Sequence, residues 1–470
     1  MLLRMIYDDR LAQASYLVGC QASGDALVID PNRNIDQYLE LAQRHELRIT
    51  AVTETHIHAD FASGARELAA KTGAKLYLSA EGGKDWQYSF AKQADAVLVH
   101  DGDSFKVGNI KLQVLHTPGH TPEHISFMVT DTAAADEPMG VFTGDFVFVG
   151  DIGRPDLLEK AAGITNTMEA GARDLYRSVQ TFKKLPDYLQ IWPGHGAGSA
   201  CGKALGAVPQ STLGYEKRFN SMFVINDEQT FVDTILDGQP APPTYFAAMK
   251  KLNKQGAPDH PAIISDHATV HELEVALNEN MTLVDIRNPD EYAAEYIHGT
   301  INIPMDDSFA NWAGWLVPTD ATIGLIGAPH ATEQAQRILQ TIGADGTKLV
   351  WDTTIVTAWY NANKQTERYE RKHSTDVAPA INDKTYFVLD VRNPDEYAEG
   401  RIAGSVNIPL GQLSKSLAEL PKRKQIVVHC EAGGRSPIAA SLLRKYGFDI
   451  VEMRDGMTGW RREKLPVEVG

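Results

Sequence analysis

Two ten-residue segments that lie far apart in this sequence repeat each other. Residues 283–292 read LVDIRNPDEY, and residues 388–397, which follow 105 positions later, read VLDVRNPDEY. The similarity continues at the same offset, where Gly299, Asn302 and Pro304 recur as Gly404, Asn407 and Pro409. A period of this length is too long for a solenoid unit and suits two tandem domains. Each copy places a strand that ends in Asp-hydrophobic-Arg before a short acidic helix, which predicts parallel α/β structure for both.

The 470 residues are too many for a single core, so the repeat must be accompanied by a further domain. The N-terminal half alternates strand-like apolar runs with an amphipathic helical pattern, which is typical of α/β layering. The strand candidates include residues 27–30, 49–53, 75–78 and 140–143, and the helix candidate is 62–72. Proline-rich segments at 239–243 and 256–261 mark a boundary, because proline cannot continue a helix or a central strand. We predict three domains, over residues 1–245, 246–367 and 368–470.

Composition narrows the class of protein. The sequence is 43% apolar and 23% charged, which is ordinary for a folded, soluble chain, and its net charge of -16 disfavours a nucleic-acid partner. Three cysteines (Cys20, Cys201 and Cys430) are too few for a disulfide framework and fit a reducing compartment. The N-terminus lacks the apolar core of a signal peptide, and no apolar run approaches the roughly 20 residues of a membrane span. We therefore expect a cytoplasmic protein that binds neither nucleic acid nor membrane.

Histidines and aspartates cluster in four short segments that follow apolar runs, at residues 55–60, 117–122, 143–145 and 193–195. Loops of this kind supply convergent metal ligands, while the preceding strands hold them still. His56, His120 and Asp145 offer two imidazoles and one carboxylate. Three further residues offer outer groups or a second site: His58, Asp60 and His195. The absence of a thiolate from these motifs disfavours a structural zinc site, whereas the ligand set suits both non-heme Fe(II) and catalytic zinc.

These motifs resemble the metallo-β-lactamase superfamily over roughly the first half of the sequence. That family usually carries His-x-His-x-Asp-His, whose last histidine helps bind a second metal ion, but here Phe61 occupies that position. Within the superfamily, residues 117–123, 142–145 and 153–156 look most like persulfide dioxygenases. This resemblance implies one Fe(II) per chain held by His56, His120 and Asp145, with O2 as co-substrate. It also implies that the three outer groups orient ligands and hydrogen-bond oxygen or water.

Two residues near these motifs have two interpretations each. Arg154 matches a family position near the carboxylate or phosphate of the substrate thiol, but it is equally well explained by a surface ion pair. Cys201 follows His195 and is flanked by glycines that permit close approach to the metal pocket. It is either a group that accepts or relays sulfur or an inert buried thiol.

A third cysteine lies at a turn between a strand and a helix. The strand 425–429 leads into Cys430-Glu431-Ala432-Gly433-Gly434-Arg435-Ser436, and the helix candidate 437–446 follows. Backbone N–H groups of such a loop and the N-terminus of the helix stabilise a thiolate or a terminal persulfide sulfur, and Arg435 adds positive charge and can brace the loop.

This loop resembles the rhodanese family over about residues 380–467, with Asp390-Val391-Arg392 upstream and Asp455-Gly456-Met457 and Trp460 downstream. Four residues separate Cys430 from Arg435, as in sulfur-transferring members of the family. The resemblance implies that Cys430 carries sulfur and that the loop residues bind the substrate: Glu431, Ala432, Gly433, Gly434 and Ser436. The first copy has neither the cysteine nor the arginine at residues 323–332, which predicts a rhodanese-like spacer or docking domain without chemistry. We expect no catalytic role for His330 in that segment.

The order of domains resembles bacterial fused persulfide dioxygenase–rhodanese proteins of sulfide detoxification. The resemblance implies that a low-molecular-weight thiol persulfide is oxidised to sulfite, and that Cys430 passes a second sulfur to sulfite to give thiosulfate. A homodimer or tetramer is expected on the same ground. Two alternatives remain. A zinc thiolester hydrolase of the glyoxalase II kind is disfavoured by Phe61 and Glu123, and a scaffold with an inert metal domain is disfavoured by the intact metal motifs. The identity of the thiol carrier stays open.

Overall fold

The computed structural model describes residues 1–162, 167–199, 201–203, 205–383 and 385–469. The chain divides into two compact units, one of residues 1–261 with 340–343 and the other of residues 262–339 with 344–470. Among the described residues, no helix combines the length and the apolar character that crossing a bilayer requires. The predicted boundaries at 245 and 367 stay predictions.

The first unit contains two six-stranded sheets. One has the order β1-β2-β3-β4-β5-β6, antiparallel over its first three strands and parallel beyond them. Helices α1 and α2 pack on its outer face, where buried residues such as Tyr38 and Leu68 form a core. The elements are β1 (Leu2–Asp8), β2 (Gln13–Cys20), β3 (Asp25–Ile29), α1 (Asp36–Arg44), β4 (Arg48–Thr53), α2 (Ala65–Thr72), β5 (Lys75–Ser79) and β6 (Val97–Val99).

The second sheet has the order β12-β11-β10-β9-β8-β7. Its strand β8 alternates buried Ile110, Leu112 and Val114 with more exposed residues, as a strand with one buried face does. These side chains join those of the first sheet in one apolar core. The elements are β7 (Ser104–Val107), β8 (Ile110–His116), β9 (Ile125–Asp131), β10 (Gly140–Gly144), α3 (Leu157–Ala162), α4 (Met168–Phe182), β11 (Gln190–Pro193), β12 (Ser211–Thr212), α5 (Leu213–Phe219), α6 (Glu228–Leu236) and α7 (Phe246–Gln255).

The second unit contains two all-parallel sheets, one for each copy of the repeat. The first has the order β14-β13-β15-β16 and comprises α8 (Val270–Asn278), β13 (Thr282–Asp285), α9 (Pro289–Ala294), β14 (Ile301–Asn302), α10 (Phe309–Leu316), β15 (Ile323–Ile326), α11 (Pro329–Thr341), β16 (Thr347–Trp351) and α12 (Ile355–Asn361). The second has the order β17-β21-β20-β18-β19 and comprises β17 (Glu370–Lys372), α13 (Ser374–Asn382), β18 (Phe387–Asp390), α14 (Pro394–Glu399), β19 (Val406–Asn407), α15 (Leu410–Leu413), β20 (Ile426–His429), α16 (Ser436–Lys445), β21 (Ile450–Met453) and α17 (Gly456–Arg462).

The predicted fold class is confirmed: a two-sheet sandwich with helices on its outer faces precedes two parallel α/β sheets. The strands predicted at 27–30, 49–53, 75–78 and 140–143 coincide with β3, β4, β5 and β10.

Candidate active sites

Three side chains converge beyond the ends of strands in the first unit. His56 follows β4, His120 lies between β8 and β9, and Asp145 follows β10. All three are buried, and the Nε2 atoms of His56 and His120 lie 3.9 Å and 3.6 Å from Oδ2 of Asp145. Their possible ligand atoms all lie within 4.8 Å of one another, a spacing that one metal ion can bridge. The structure therefore brings together the three residues predicted to bind the metal.

Hydrogen bonds orient both imidazoles of this cluster. Nδ1 of His120 donates to the backbone carbonyl of Arg154 at 3.0 Å, because a carbonyl oxygen can only accept. Nδ1 of His56 lies 3.0 Å from Oγ1 of Thr55, whose hydroxyl is itself committed as a donor to Asp30. In both rings Nδ1 therefore carries the hydrogen, and Nε2 presents the lone pair with which histidine binds a metal.

The environment of these atoms fits a divalent cation. Nε2 of His56 and Oδ2 of Asp145 are buried and have no hydrogen-bond partner among the described residues, an arrangement that a bound cation would satisfy. Burial lowers the pKa of His56 well below its ordinary value, and the neighbouring His58 and His120 lower it further. Burial also lowers the pKa of His120. Neutral imidazoles beside a carboxylate are the donor set that a metal such as iron or zinc requires.

His195 fixes the orientation of the Asp145 carboxylate. Its Nδ1 lies 2.6 Å from Oδ1 of Asp145, and its Nε2 lies 2.6 Å from Oδ2 of Asp60. Burial opposes protonation of this ring, but the two carboxylates outweigh burial and raise the pKa of His195 well above its ordinary value. Burial likewise opposes ionisation of Asp145, but His195 lowers the pKa of that carboxyl overall. Because His195, itself held by Asp60, occupies Oδ1 of Asp145, Oδ2 of that carboxylate is left to face the two imidazoles.

The remaining outer group, His58, is turned toward Asp30. Its Nε2 lies 3.0 Å from Oδ1 of Asp30; burial opposes its protonation, but this carboxylate raises the pKa of His58 to about 9. The ring of Phe61 is fully buried and packs against His58 with 4.3 Å between ring centroids. A phenyl ring offers no ligand atom where the superfamily motif has its last histidine.

The two residues with open interpretations are both buried. The guanidinium of Arg154 pairs with Asp156 at 2.9 Å and also donates to the carbonyl of Pro240, so this ion pair is an internal one. Cys201 lies within 4.8 Å of ligand atoms of Asp60 and His195. Burial raises the pKa of the Cys201 thiol well above its ordinary value, and the carboxylates of Asp60 and Asp145 raise it further. Roles for Arg154 and Cys201 in catalysis stay predictions.

Two residues that position the site were not found from the sequence. Nε2 of His124 accepts the backbone N–H of Asp145 at 3.1 Å and so helps to place that carboxylate. Nδ2 of Asn253, on α7, donates to the carbonyls of His58 and Phe61. The spacing of His124 from His120 is a weak signal, and nothing local marks Asn253.

A cavity of about 490 Å³ adjoins the metal loops. Ile57, Gly119 and Pro122 line it on the side of the metal loops, and Lys250, Lys251 and Lys254 of α7 also line it. Nζ of Lys250 lies 3.8 Å from the ring centroid of Trp86, and burial lowers the pKa of this lysine to about 8. The lysines at spacing i, i+1 and i+4 were visible in the sequence, but their proximity to the metal site was not.

In the second unit, Cys430 lies between β20 and α16 and is 1% exposed. The backbone N–H of Gly433 donates to Sγ of Cys430 at 3.2 Å, and Sγ lies 3.6 Å from Oγ of Ser436. Gly433 has φ +86°, and a Cβ at this position would lie 2.1 Å from the carbonyl oxygen of Arg454, so only glycine allows this turn. One backbone N–H of the loop thus contacts the sulfur atom, whereas the sulfur-carrying role of Cys430 and the substrate-binding roles of Ala432 and Gly434 stay predictions.

Ion pairs hold both ends of this loop. Nη1 and Nη2 of Arg435 each lie 2.6 Å from one carboxylate oxygen of Glu396, on α14. Glu431 accepts from Arg392 at 2.9 Å and from Arg461 on α17. Such two-point pairing fixes the geometry of a loop more firmly than a single contact.

Comparison with known proteins agrees with this architecture. Residues 8–195 match the Metallo-beta-lactamase superfamily, and residues 269–352 and 374–463 each match the Rhodanese-like domain. The chain belongs to the metallo-β-lactamase superfamily and carries two rhodanese-like domains, in the order predicted from the sequence. A solved structure of a metallo-beta-lactamase from Staphylococcus aureus subsp. aureus COL is 46% identical, with a TM-score of 0.67, over 75% of this chain and 98% of that chain.

Two curated relatives suggest different chemistries. Persulfide dioxygenase ETHE1, mitochondrial, of Bos taurus is 30% identical over 205 residues, which are 41% of this chain and 68% of that protein. Hydroxyacylglutathione hydrolase of Nitrosococcus oceani is 30% identical over 273 residues, which are 51% of this chain and 94% of that protein. The chain spans about half the length (53%) of the Beta-lactamase hydrolase-like protein of Xylella fastidiosa, to which it is 29% identical. These relatives place the chain in a family of metal-dependent hydrolases and dioxygenases.

Proposed function

We propose that this protein oxidises the outer sulfur of a low-molecular-weight thiol persulfide with O2 at a single Fe(II) and couples this reaction to sulfur transfer by Cys430. The first product is sulfite, and a second sulfur delivered through Cys430 converts it to thiosulfate. Residues 1–245 would carry out the metal chemistry and residues 368–470 the sulfur transfer, with residues 246–367 as a domain without chemistry.

The observation that carries the proposal is that Phe61 offers no ligand at the position where the superfamily motif has a histidine for a second metal ion. Phe61 packs against His58, and His58 faces Asp30, so the site favours one ion held by two imidazoles and one carboxylate. Hydrolases of this superfamily use a second ion, whereas non-heme Fe(II) enzymes use two histidines, one carboxylate and open positions. Fe(II) held by His56, His120 and Asp145 would supply the redox chemistry and the binding positions that a persulfide and O2 share.

Sulfur transfer needs only Cys430 and its loop. The Cys430 thiolate attacks the outer sulfur of a persulfide R–S–SH, so that a new S–S bond forms and the carrier leaves as RS⁻. Sulfite then attacks the outer sulfur of the Cys430 persulfide, which releases thiosulfate and returns the thiol. The N–H of Gly433 stabilises negative charge on Sγ in both half-reactions.

The cavity beside the metal loops supports an anionic thiol carrier. Three lysines and two aspartates, Asp85 and Asp174, line it, so a carrier with carboxylate or phosphate groups would find a surplus of positive charge there. Ordinary small thiols without such groups would lack this interaction. We infer that these lysines bind the carrier end of the substrate.

The test is O2 consumption by the full chain after anaerobic loading with Fe(II), on addition of a small-thiol persulfide, with sulfite and thiosulfate assayed afterwards. We expect O2 uptake that ends in thiosulfate. His120→Ala, which removes one ligand, should abolish uptake, while the matched variant His116→Ala, whose ring lies outside the metal cluster, should retain it. Absence of uptake from the iron-loaded chain, together with thiolester hydrolysis by the zinc-loaded chain, would instead establish the glyoxalase II-like alternative.

A further inference from the structure

Behind the sulfur-transfer loop, a chain of hydrogen bonds leads from Cys430 to a buried carboxylate. The thiol of Cys430 donates to Oγ of Ser436 at 3.6 Å, and the Ser436 hydroxyl donates to Oε1 of Glu452 at 2.8 Å. Ser436 and Glu452 are both 0% exposed. Each proton of this chain is therefore donated toward Glu452: that of the thiol to Ser436, and that of the hydroxyl to the carboxylate. Nothing in the proposed reaction so far uses this carboxylate.

The surroundings of Glu452 prepare it to take up a proton. Burial raises the pKa of its carboxyl above the ordinary value, while Arg371 and Ser436 act in the opposite direction. The charge of Arg371 is shared, because its guanidinium also pairs with Asp290 of the first copy at 2.6 Å. Glu452 is therefore held by a cation that has a second anionic partner.

We propose that Glu452 accepts the thiol proton of Cys430 through Ser436 when the thiolate forms. The S–H bond of Cys430 breaks, its proton moves to Oγ of Ser436, and the hydroxyl proton of Ser436 moves to Oε1 of Glu452. The electron pair of the S–H bond stays on sulfur as the nucleophile, and no oxidant or reductant takes part. The proton stays on Glu452 while Cys430 carries the outer sulfur, and the same route returns it to Sγ when sulfite takes that sulfur and Cys430 leaves as a thiolate. This inference rests on the proposed role of Cys430 as the sulfur carrier.

The relay predicts a particular dependence of Cys430 reactivity on pH. Because the proton stays inside the protein, the reactive pair of thiolate and neutral carboxyl persists to lower pH than a lone thiolate would. The groups around the pair include Arg371, Arg454 and Tyr369 beside Glu452, and Arg435 beside Cys430. His429 also adjoins Cys430, with Nδ1 3.3 Å from its carbonyl oxygen, and burial lowers the pKa of this histidine. None of the three arginines titrates in the neutral range, and burial raises the pKa of Tyr369 well above its ordinary value.

The experiment follows the rate at which a small alkylating reagent modifies Cys430 in the full chain across a pH series, with peptide mass analysis to separate Cys430 from Cys20 and Cys201. Glu452→Gln removes the final acceptor, and Ser436→Ala removes the connection but keeps the Glu452–Arg371 pair. Both should shift the midpoint of the profile upward by about one pH unit and slow alkylation about tenfold on its acidic side. Ser441→Ala is the matched control, because it removes an equally buried hydroxyl from the same helix and should leave the profile unchanged.

Two outcomes would overturn the inference. Faster alkylation of Glu452→Gln would mean that Glu452 stays ionised and merely repels a thiolate. An unchanged profile for Ser436→Ala would mean that Glu452 only anchors β17 through Arg371. Thermal unfolding of each variant checks that it folds. Since alkylation requires neither metal nor O2, a failure of the proposed dioxygenase would leave this result intact, and a failure of the relay would leave O2 uptake intact.

Discussion

The two rhodanese-like copies share a scaffold down to individual hydrogen bonds. In the first copy, Arg287 pairs with Asp285, and Nδ2 of Asn302 donates to the carbonyls of both residues at 2.8 Å and 2.9 Å. In the second copy the corresponding bonds join Arg392 to Asp390 and Asn407 to the same two carbonyls, at 3.0 Å and 2.9 Å. The repeated sequence motif therefore encodes the end of a strand and the turn after it.

The copies differ in the turn that carries the chemistry. Six residues, 430–435, separate β20 from α16, whereas only Gly327 and Ala328 separate β15 from α11. The shorter turn lacks both the cysteine and the arginine, and it has no counterpart of Gly433, whose N–H contacts the sulfur in the second copy. The Asp-x-Arg motif therefore indicates only the rhodanese-like fold. The longer loop with its cysteine is what predicts sulfur transfer.

The largest effect is expected at the nucleophile itself. Cys430→Ser should reduce thiosulfate formation by about 10³-fold or more, because a hydroxyl is a poor nucleophile toward sulfur and the first copy offers no replacement. Oxygen uptake should continue, so that free sulfite accumulates; coupled assays of O2, sulfite and thiosulfate measure this. Cys20→Ser is the control. Thiosulfate formed at the full rate would show that sulfur transfer occurs elsewhere.

The shared scaffold should respond equally in both copies. Asp285→Ala leaves the largely buried Arg287 without its carboxylate, and Asp390→Ala leaves the buried Arg392 with only Glu431, whose side chain is 32% exposed; each change should lower the free energy of unfolding of the second unit by about 3 kcal/mol. Denaturant unfolding of the full chain measures the loss. A large effect in one copy with almost none in the other would contradict the equivalence of the two scaffolds.

Local patterns in the sequence were sufficient for the fold class and the grouping of the metal ligands. Runs such as 49–53 became strands because apolar residues with β-propensity pack between layers, and His56, His120 and Asp145 meet because loops at the ends of neighbouring strands lie side by side. The family resemblance supplied the order of domains, which the comparisons confirm.

Contacts between distant segments were out of reach of the same reasoning. Lys250 reaches the cavity beside the metal loops only because α7 packs there, although more than 120 residues separate it from Pro122. Glu452 and Arg371 meet because β21 and β17 are neighbours in a sheet, an order that the sequence does not reveal. Likewise, Arg154 looked like either a substrate clamp or a surface residue, whereas its carbonyl orients His120.

The ion pair between Glu396 and Arg435 is a further difference between the two copies, and a smaller effect is expected from its loss. Glu396 holds Arg435 through two hydrogen bonds, whereas the turn of the first copy has no arginine, and Glu291, which corresponds to Glu396, is exposed. Glu396→Gln should slow sulfur transfer about tenfold, because the loop loses a charge-assisted contact and its backbone donors become less well ordered. Glu291→Gln should leave the rate unchanged in the same assay. Equal losses in the two variants would point to a general effect on folding.

The smallest effect is expected from Asp290 of the first copy, which pairs with Arg371 of the second copy and so influences the reactivity of Cys430. Asp290 pairs with Arg371 and, at 3.2 Å, with Arg454, whereas Asp395, its counterpart in the second copy, is exposed in the first turn of α14. Asp290→Asn should leave the charge of Arg371 directed at Glu452, which keeps that carboxylate ionised and makes it a weaker proton acceptor. Because Asp290 is itself 56% exposed and therefore screened, only a two- to threefold slower alkylation of Cys430 on the acidic side of its pH profile is expected, about the size of a surface ion-pair effect. Asp395→Asn should not change the profile. Faster alkylation of Asp290→Asn would show that Arg371 leaves Glu452 when its second partner is lost, and the first copy would then restrain the nucleophile instead of assisting it.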